Sequence, residues 1–416
     1  MVWLRVPKIF LKPVAWVVVA FVLRAGFALV LGNGFYQADE AGWHAQALSW
    51  SQYFVFGVGG KAAVVTPLPS VLFGTAYFIF GPSKLAARLV QAAVGAAVVW
   101  ALGKTAETAS GSSRVGLIAT AIAAVYPFFI YYSGVLMSET LYLFGAVCGL
   151  GFCVKSLSER GASLPTAAGA GVFWALAGLS RTEGVPIALF LWLALLGLSV
   201  LGRYSPKAFA LAVLCWTVPL AGWAVRNHGI VGRYTLDTHG GITFLDGSMN
   251  FDLNEQDTLF ARQAFRMTDV YRRGMAMSEI DRDDYFRAAA FSWMRANPGQ
   301  VLRQWIHKAF NFWRFYPRLN KEIPAASSDA RAGMKVWILA AVSLMTEPAL
   351  IFLGFWGAWT LRERFSELFP FYWMILATFG VHVIVISQMR YRLPVMPVLI
   401  IFAATRLNSF LPKEQS

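Results

Sequence analysis

Charged residues are scarce in this chain of 416 residues, where they make up 14% of the sequence against 57% for hydrophobic residues. A soluble protein of this length has about a quarter charged residues. The mean hydropathy is +0.54, and the apolar residues fall in blocks of about the length that crosses a membrane. The composition therefore excludes cytosolic, disordered and disulfide-rich secreted proteins and indicates a polytopic membrane protein.

Several other features are missing. The 3 cysteines all lie in apolar blocks, so they cannot form a disulfide framework. The sequence has no glycine-rich phosphate loop, which argues against an ATP-driven pump. It also has no Asn-x-Ser/Thr sequon, a hint against a glycosylated lumenal protein. The 5 histidines have no metal-site spacing, so the sequence predicts no cofactor, although it leaves a divalent metal open.

The apolar blocks predict about ten membrane spans. They lie at roughly 14–32, 67–80, 85–103, 115–134, 138–154, 164–180, 185–202, 208–225, 336–360, 368–388 and 393–411. The block at 67–80 is short for a span. If it only dips into the outer leaflet, the basic gaps after the later blocks all fall on the cytoplasmic side, as the positive-inside rule requires. The net charge of +14 then reflects topology, and no nucleic-acid partner is predicted.

The predicted fold class is an all-α polytopic membrane protein with about 10–11 transmembrane helices and one mixed extracytoplasmic segment. That segment, 226–334, holds 12 of the 22 carboxylates. Turn signals in its first part, 233–251, predict irregular or short-strand structure, and helices broken at Asn297-Pro298 follow. The predicted modules are 1–225 with an outer-face loop at 33–84, then 226–334, then 335–416.

Two carboxylates, Asp39 and Glu40, directly follow the first apolar block, and Asp39 is the sole aspartate outside 226–334. The apolar residues from Trp43 to Tyr53 predict an amphipathic helix lying on the membrane. Asp39 and Glu40 could simply cap that helix. Alternatively, a carboxylate at the interface could act as general base for an acceptor hydroxyl.

Glu139 opens a later span, directly after Ser138. As a pair, the two residues could form an ordinary helix cap. Under the topology above, however, Glu139 faces the same side as Asp39, which would place two carboxylates around one site.

Three arginines fall on the predicted outer side, where positive charge is disfavoured: Arg181, Arg390 and Arg392. They could be cations that snorkel at helix ends, or they could grip the phosphate of an anionic ligand. Arg24 and Arg88 lie inside spans, where arginine is costly and often functional. For these two, a structural ion pair, for instance with Glu347, is the alternative.

Taken in order, these motifs resemble the GT-C glycosyltransferases, in the bacterial branch similar to protein O-mannosyltransferases and lipid A aminoarabinose transferase. The acidic pair after the first span resembles the first-loop motif of that family. Further similar stretches are Thr66-Pro67-Leu68-Pro69, Phe80-Gly81-Pro82 with Ala87-Arg88-Leu89, Tyr126-Pro127 through Glu139, Trp223 through Gly232, His239-Gly240-Gly241, Asn297-Pro298 to Lys308, Phe312-Trp313, and Arg390-Tyr391-Arg392-Leu393-Pro394.

This resemblance implies an inverting membrane glycosyltransferase of the plasma (inner) membrane. Its donor would be a polyprenyl-phosphate sugar, its acceptor a lipid, glycan or protein, and its site would face the extracytoplasmic side. Asp39 matches the family's catalytic aspartate, with Glu40 beside it. Glu139 matches the second acidic position, where the family has Asp. Arg390 and Arg392 fall where a donor phosphate could bind, and Arg181, on the same predicted side of the membrane, is a third candidate for that contact.

Two other classes of function remain open on the sequence. A polytopic lipid or solute transporter would place polar groups at mid-membrane in broken helices, often in two repeated halves. In this chain the carboxylates cluster at one predicted surface, and no repeat is visible. An accessory scaffold of an export complex would leave Asp39 dispensable.

Overall fold

A computed structural model of the chain describes residues 12–37, 39–57, 61–158, 163–249, 266–315 and 330–412. Within these ranges the elements are helical, and none of them is a β-strand. The α-helices are α1 Pro13–Leu31, α2 Glu40–Tyr53, α3 Leu68–Phe80, α4 Lys84–Ser110, α5 Ser113–Val125, α6 Pro127–Gly134, α7 Glu139–Ser158, α8 Leu164–Ser180, α9 Gly184–Val200, α10 Pro206–Val231, α11 Gly240–Met249, α12 Asp269–Met275, α13 Glu279–Ala296, α14 Pro298–Phe312, α15 Ala330–Thr360, α16 Phe365–Ile384 and α17 Met396–Asn408. Two 3₁₀-helices, Arg362–Arg364 and Met389–Val395, flank α16.

The membrane character predicted from composition is confirmed. In the described ranges, 6 helices are long and apolar enough to cross a membrane, and the pair α5 and α6, bent by 55°, makes a seventh candidate. Helices α3, α8 and α9 are apolar but shorter. With 13 residues, α3 is about 20 Å long at a rise of about 1.5 Å per residue. It is too short for a hydrocarbon core of about 30 Å, in line with the prediction for 67–80.

Glycines set the close packing of the central helices. A Cβ on Gly145 of α7 would lie 2.7 Å from the backbone nitrogen of Ala177 in α8. A Cβ on Gly149 would meet the ring of the fully buried Trp174 at 2.8 Å. Membrane helices associate largely through such close backbone approach, because lipid offers no hydrophobic driving force between them.

Buried cations in the bundle bind carbonyl groups at helix ends. Arg24 donates to Ala123 O and Ala124 O, the last turn of α5, where the bend before Pro127 frees these carbonyls. Arg88 donates to Gly32 O just after α1 and to Gly134 O at the end of α6. Carbonyls in the last turn of a helix have no partner within the helix and carry partial negative charge. Arg24 and Arg88 therefore have structural contacts, as in the structural alternative, but neither pairs with Glu347, which binds Arg392.

The prediction of irregular or short-strand structure for 233–251 is confirmed at 233–239, which form no regular element, and is wrong for Gly240–Met249, which is helical. Two glycines of this segment, Gly241 and Gly247, are close-packing positions rather than turn residues. A Cβ on Gly241 would lie 2.2 Å from Asp283 O, and one on Gly247 would lie 1.9 Å from Val385 O. The Asp283 carboxylate also accepts the Gly241 N–H and so stabilises the start of the helix. The predicted break at 297–298 is confirmed between α13 and α14.

The helix predicted after Asp39 forms as α2, but its apolar face does not point away from the protein. Ala47 is fully buried in a cluster with Phe73 of α3. Gly74 lets the Trp50 ring approach, since a Cβ there would lie 2.7 Å from the ring. On the predicted face, Tyr53 is 71% exposed. This helix is therefore held mainly by α3, which corrects the expectation that its apolar face lies on the membrane.

Candidate active site

The predicted catalytic aspartate meets a predicted phosphate-binding arginine. Asp39, at the N-cap of α2, accepts a hydrogen bond from Arg390 of the 3₁₀-helix Met389–Val395 at 3.2 Å. The Asp39 side chain is 54% exposed and the Arg390 side chain 23%, so the pair stands at the edge of an open surface. Burial alone would lower the pKa of Arg390, but the nearby Tyr391, Glu139 and Asp39 raise it well above its ordinary value.

Glu139 lies beside this pair and is held by Arg181. The two side chains form an ion pair at 3.0 Å, and Arg181 also binds Glu183 at 2.9 Å. Glu139 is 4% exposed. Its second carboxylate oxygen, Oε2, is buried without a hydrogen-bond partner in the described part of the chain. A buried carboxylate oxygen of this kind is costly unless it finds a donor, so Glu139 has an unsatisfied acceptor next to the Asp39–Arg390 pair.

Tyr391 joins the two ion-pair groups. The guanidinium groups of Arg390 and Arg181 lie 4.9 Å and 5.8 Å from its ring centroid. His382 stacks on the same ring at a centroid distance of 4.5 Å, and its Nε2 is 3.4 Å from Glu183. This arrangement fixes the two arginines at one place by cation–π and ionic contacts. Sequence reasoning assigned no role to Tyr391, although its position between two arginines was visible.

Glu40 lies behind the site rather than in it. The side chain is fully buried and forms an ion pair with Arg88 at 2.7 Å. Its carboxylate also accepts the backbone N–H groups of Gln37 and Leu136, each at 2.8 Å, and that of Tyr36. Glu40 therefore binds the loop that carries Asp39 to the loop that leads into Glu139. This placement fits a structural role and does not fit the predicted catalytic one.

Arg392 is also separated from the exposed edge. Its side chain is 2% exposed and pairs with the buried Glu347. It donates two further hydrogen bonds, to Phe312 O at 2.8 Å and Arg314 O at 2.9 Å. With three of its N–H donors bound to buried oxygens, this arginine is not placed to bind a lipid phosphate at the exposed edge. The placement does not fit the predicted role in donor binding, and Arg390 is left as the exposed arginine of the motif.

Residues of segment 226–334 border the site. His239 lies near enough to Asp39 for the two side chains to interact electrostatically. The Asp237 carboxylate accepts a hydrogen bond from the backbone N–H of His239 at 3.2 Å. Burial raises the pKa of Asp237. Sequence reasoning used His239 only as part of a family-like stretch and missed Asp237. Among the residues that the structure describes, no three His, Cys, Asp or Glu side chains are grouped to hold a metal ion.

Comparison with known proteins identifies solved structures that share the fold of this chain. No family model and no curated protein matches the chain. The Archaeoglobus fulgidus oligosaccharyltransferase in its apo form matches with a TM-score of 0.56 at 14% identity over 95% of this chain. The same enzyme tethered to an acceptor peptide containing the NVT sequon gives 0.50 at 16% identity. The Cupriavidus metallidurans protein ArnT bound to undecaprenyl phosphate gives 0.45 at 13% identity, with 95% of this chain and 78% of that one covered.

The chain spans about half the length of the archaeal oligosaccharyltransferase, 50% in the apo structure. Identity of 14% to 16% is too low to transfer individual residues, and what it establishes is the architecture. Together with the apolar helices described above, the likeness gives the chain the membrane-helical fold of the archaeal oligosaccharyltransferase.

Proposed function

We propose that this protein is a membrane glycosyltransferase that moves a sugar from a polyprenyl-phosphate carrier to a hydroxyl of a lipid, glycan or protein. The observation that carries the proposal is the contact between Asp39 and Arg390, 351 residues apart in sequence and joined at 3.2 Å. It puts a partly exposed carboxylate, a fixed cation and the acceptor oxygen of Glu139 around one surface. Transfer from a phosphate-linked donor needs a base and a cation of this kind.

In the proposed reaction the donor phosphate binds Arg390 and displaces Asp39 from its ion pair. The freed Asp39 carboxylate takes the proton of the acceptor hydroxyl. The acceptor oxygen forms a bond to the sugar C1 as the bond from C1 to the phosphate oxygen breaks, which inverts the configuration at C1. Polyprenyl phosphate leaves with the bonding electrons, and Arg390 stabilises the charge that develops on it.

Arg181 and Glu139 have a different part in this proposal. Arg181 is committed to Glu139, Glu183 and Ser138, so it orients Glu139 rather than gripping the donor phosphate. The unpartnered Oε2 of Glu139 then accepts a hydrogen bond from a hydroxyl of the bound sugar or acceptor. Such an interaction fixes the ring for attack, and orientation of this kind is a major source of rate enhancement.

We place the site and segment 226–334 on the extracytoplasmic side of the plasma (inner) membrane. The proposal rests on the bias of basic residues in the gaps of the sequence. In a background in which the native cysteines are replaced, a cysteine at the exposed Met267 should react with an impermeant thiol reagent in whole cells. A cysteine at the exposed Ser113 should react only after permeabilisation. Labelling of both positions in intact cells contradicts this topology.

Arg390→Gln should raise the apparent KM for the donor, or lower kcat if the contact tightens as charge develops on the phosphate. Arg390→Lys should restore activity only in part, because a point charge cannot replace the guanidinium fork. The matched variant Arg392→Gln should instead lower the yield of folded protein, since it leaves Glu347 buried without its cation. Unchanged kinetics in a well-folded Arg390→Gln would exclude Arg390 from donor binding.

The activity itself is tested by mass spectrometry of lipid-linked sugars and surface glycans from cells with and without the protein. We expect loss of the protein to remove a sugar from a glycan, lipid or protein and to leave its polyprenyl-phosphate donor intact. The purified protein should then restore transfer in vitro. A lipid transporter would move the intact donor across vesicle membranes without releasing polyprenyl phosphate, which would replace the proposal.

A further inference from the structure

Helix α14 leaves a row of large apolar side chains exposed. Its buried residues are Val301, Gln304, Lys308 and Phe312, two apolar and two polar. Its outward residues Leu302, Ile306 and Phe310 are 59%, 51% and 76% exposed. The three are four residues apart and so lie on one face of the helix. An exposed apolar row opposite a face that buries Gln304 and Lys308 indicates that something apolar covers the row.

The inward face is fixed by specific bonds, so the row cannot turn toward the protein. Gln304 donates to Ser248 O at 3.0 Å, and Lys308 donates to Val385 O at 2.9 Å. The hydroxyl of Ser387 donates to Lys308 O at 2.8 Å. Rotating the helix by half a turn would bury three large apolar residues and leave these polar groups without partners.

The helix lies at the level where a membrane span ends. Lys308 binds carbonyls at the C-terminus of the candidate span Arg362–Ile384. Phe312 packs on Phe379 in the last turns of the same span, with ring centroids 5.4 Å apart. The end of a span marks the boundary between the hydrocarbon core and the headgroups, so the row on α14 is at that depth.

The charges on the helix agree with lipid as the partner. Pro298–Phe312 contains no Asp or Glu, and its exposed Arg303 and His307 follow Leu302 and Ile306 directly in sequence. Basic side chains that flank an apolar row are typical of helices at a bilayer surface, where anionic headgroups attract them. A second copy of the chain would bring the same basic side chains against one another, Arg303 above all, which disfavours that occupant.

We infer that α14 is a membrane-interface helix whose Leu302, Ile306 and Phe310 insert among the lipid chains at the end of the bundle that carries the site. The helix is tied to the candidate site, because Arg392 binds Phe312 O and Arg314 O two residues after Arg390. On the proposed function, the inserted row therefore sets the depth of Arg390 at the level of lipid phosphates.

The test uses spin labels on the full chain in lipid nanodiscs of phosphatidylcholine and phosphatidylglycerol. Single cysteines at 302, 306 and 310 in a background without native cysteines carry the label, with Met267→Cys as the water-exposed control. We expect oxygen to relax the three labels more strongly than a water-soluble nickel chelate does, and the reverse at the control. Because the measurement needs no activity, it is independent of the proposed glycosyl transfer.

Two outcomes would overturn the inference. Stronger relaxation by the nickel chelate at all three positions would put the row in water. Protection from both reagents would put it against protein, and spin–spin broadening would then identify a second copy of the chain. The labelled positions are exposed, so the variants are expected to fold. Size-exclusion chromatography of each labelled protein checks this before the measurement.

Discussion

Asp39→Asn should abolish most transfer while leaving the protein folded. A general base contributes about 10²–10⁴-fold in rate, and the amide cannot take the acceptor's proton. Asparagine keeps the size of the side chain and is a good residue for the N-cap position, so α2 should form normally. Arg390 keeps Glu139 and Tyr391 as neighbours, so donor binding should change little. Single-turnover transfer by the purified variant measures the chemical step.

The control for Asp39→Asn is the same substitution at Asp269. That aspartate is 75% exposed and pairs with the exposed Arg272, so its loss should leave transfer within about twofold of wild type, as surface pairs contribute little. Near-wild-type transfer by a pure, well-folded Asp39→Asn would refute the proposed base. Transfer lost together with donor binding would move Asp39 from the chemical step to the binding of the donor.

Glu40→Gln should act on stability rather than on the chemical step. Both side chains of the Glu40–Arg88 pair are fully buried, and breaking one partner of a buried ion pair costs about 3–5 kcal/mol. The Arg88 charge would then lie in the protein interior with carbonyl oxygens as its remaining partners. We expect a large fall in the folded yield and in the melting temperature, followed by fluorescence-detected size-exclusion chromatography after heating.

The matched substitution for Glu40→Gln is Glu107→Gln. The Lys104–Glu107 pair has a similar distance, 2.9 Å, but its side chains are 56% and 39% exposed. Such a surface pair contributes about 0–1 kcal/mol, so its melting temperature should stay close to that of the wild type. Equal melting temperatures for Glu40→Gln and the wild type would show that the buried pair is not needed for the fold.

The sequence predicted the features that depend on composition and order along the chain. Apolar blocks of sufficient length gave the helices, because a span has little choice of secondary structure in lipid. Asp39 was predicted as a site residue because aspartate is otherwise confined to 226–334. The length of the block at 67–80 gave the short helix α3.

Tertiary contacts decided the features that the sequence could not predict. Glu40 and Asp39 are adjacent in sequence, yet Glu40 is buried and the Asp39 side chain is 54% exposed. Arg390 and Arg392 differ in the same way. The Arg392 side chain pairs with the buried Glu347 and is 2% exposed, whereas the Arg390 side chain is 23% exposed. The glycines at 240–247 read as turns because the chain that packs against them is distant in sequence. Only the folded chain shows which of two residues close in sequence is buried and which is exposed.

The binding of Arg24 to the end of α5 has a consequence for the order of synthesis. Its carbonyl partners at Ala123 and Ala124 are 99 and 100 residues further along the chain. At about 5–20 residues per second, the ribosome delivers them about 5–20 s after the arginine. The first span therefore enters the membrane while Arg24 can bind Ala20 O of its own helix but not yet the carbonyls of α5, and an arginine at mid-membrane costs about 2.5–3.5 kcal/mol. The apolar remainder of α1 must offset that cost until α5 has been made.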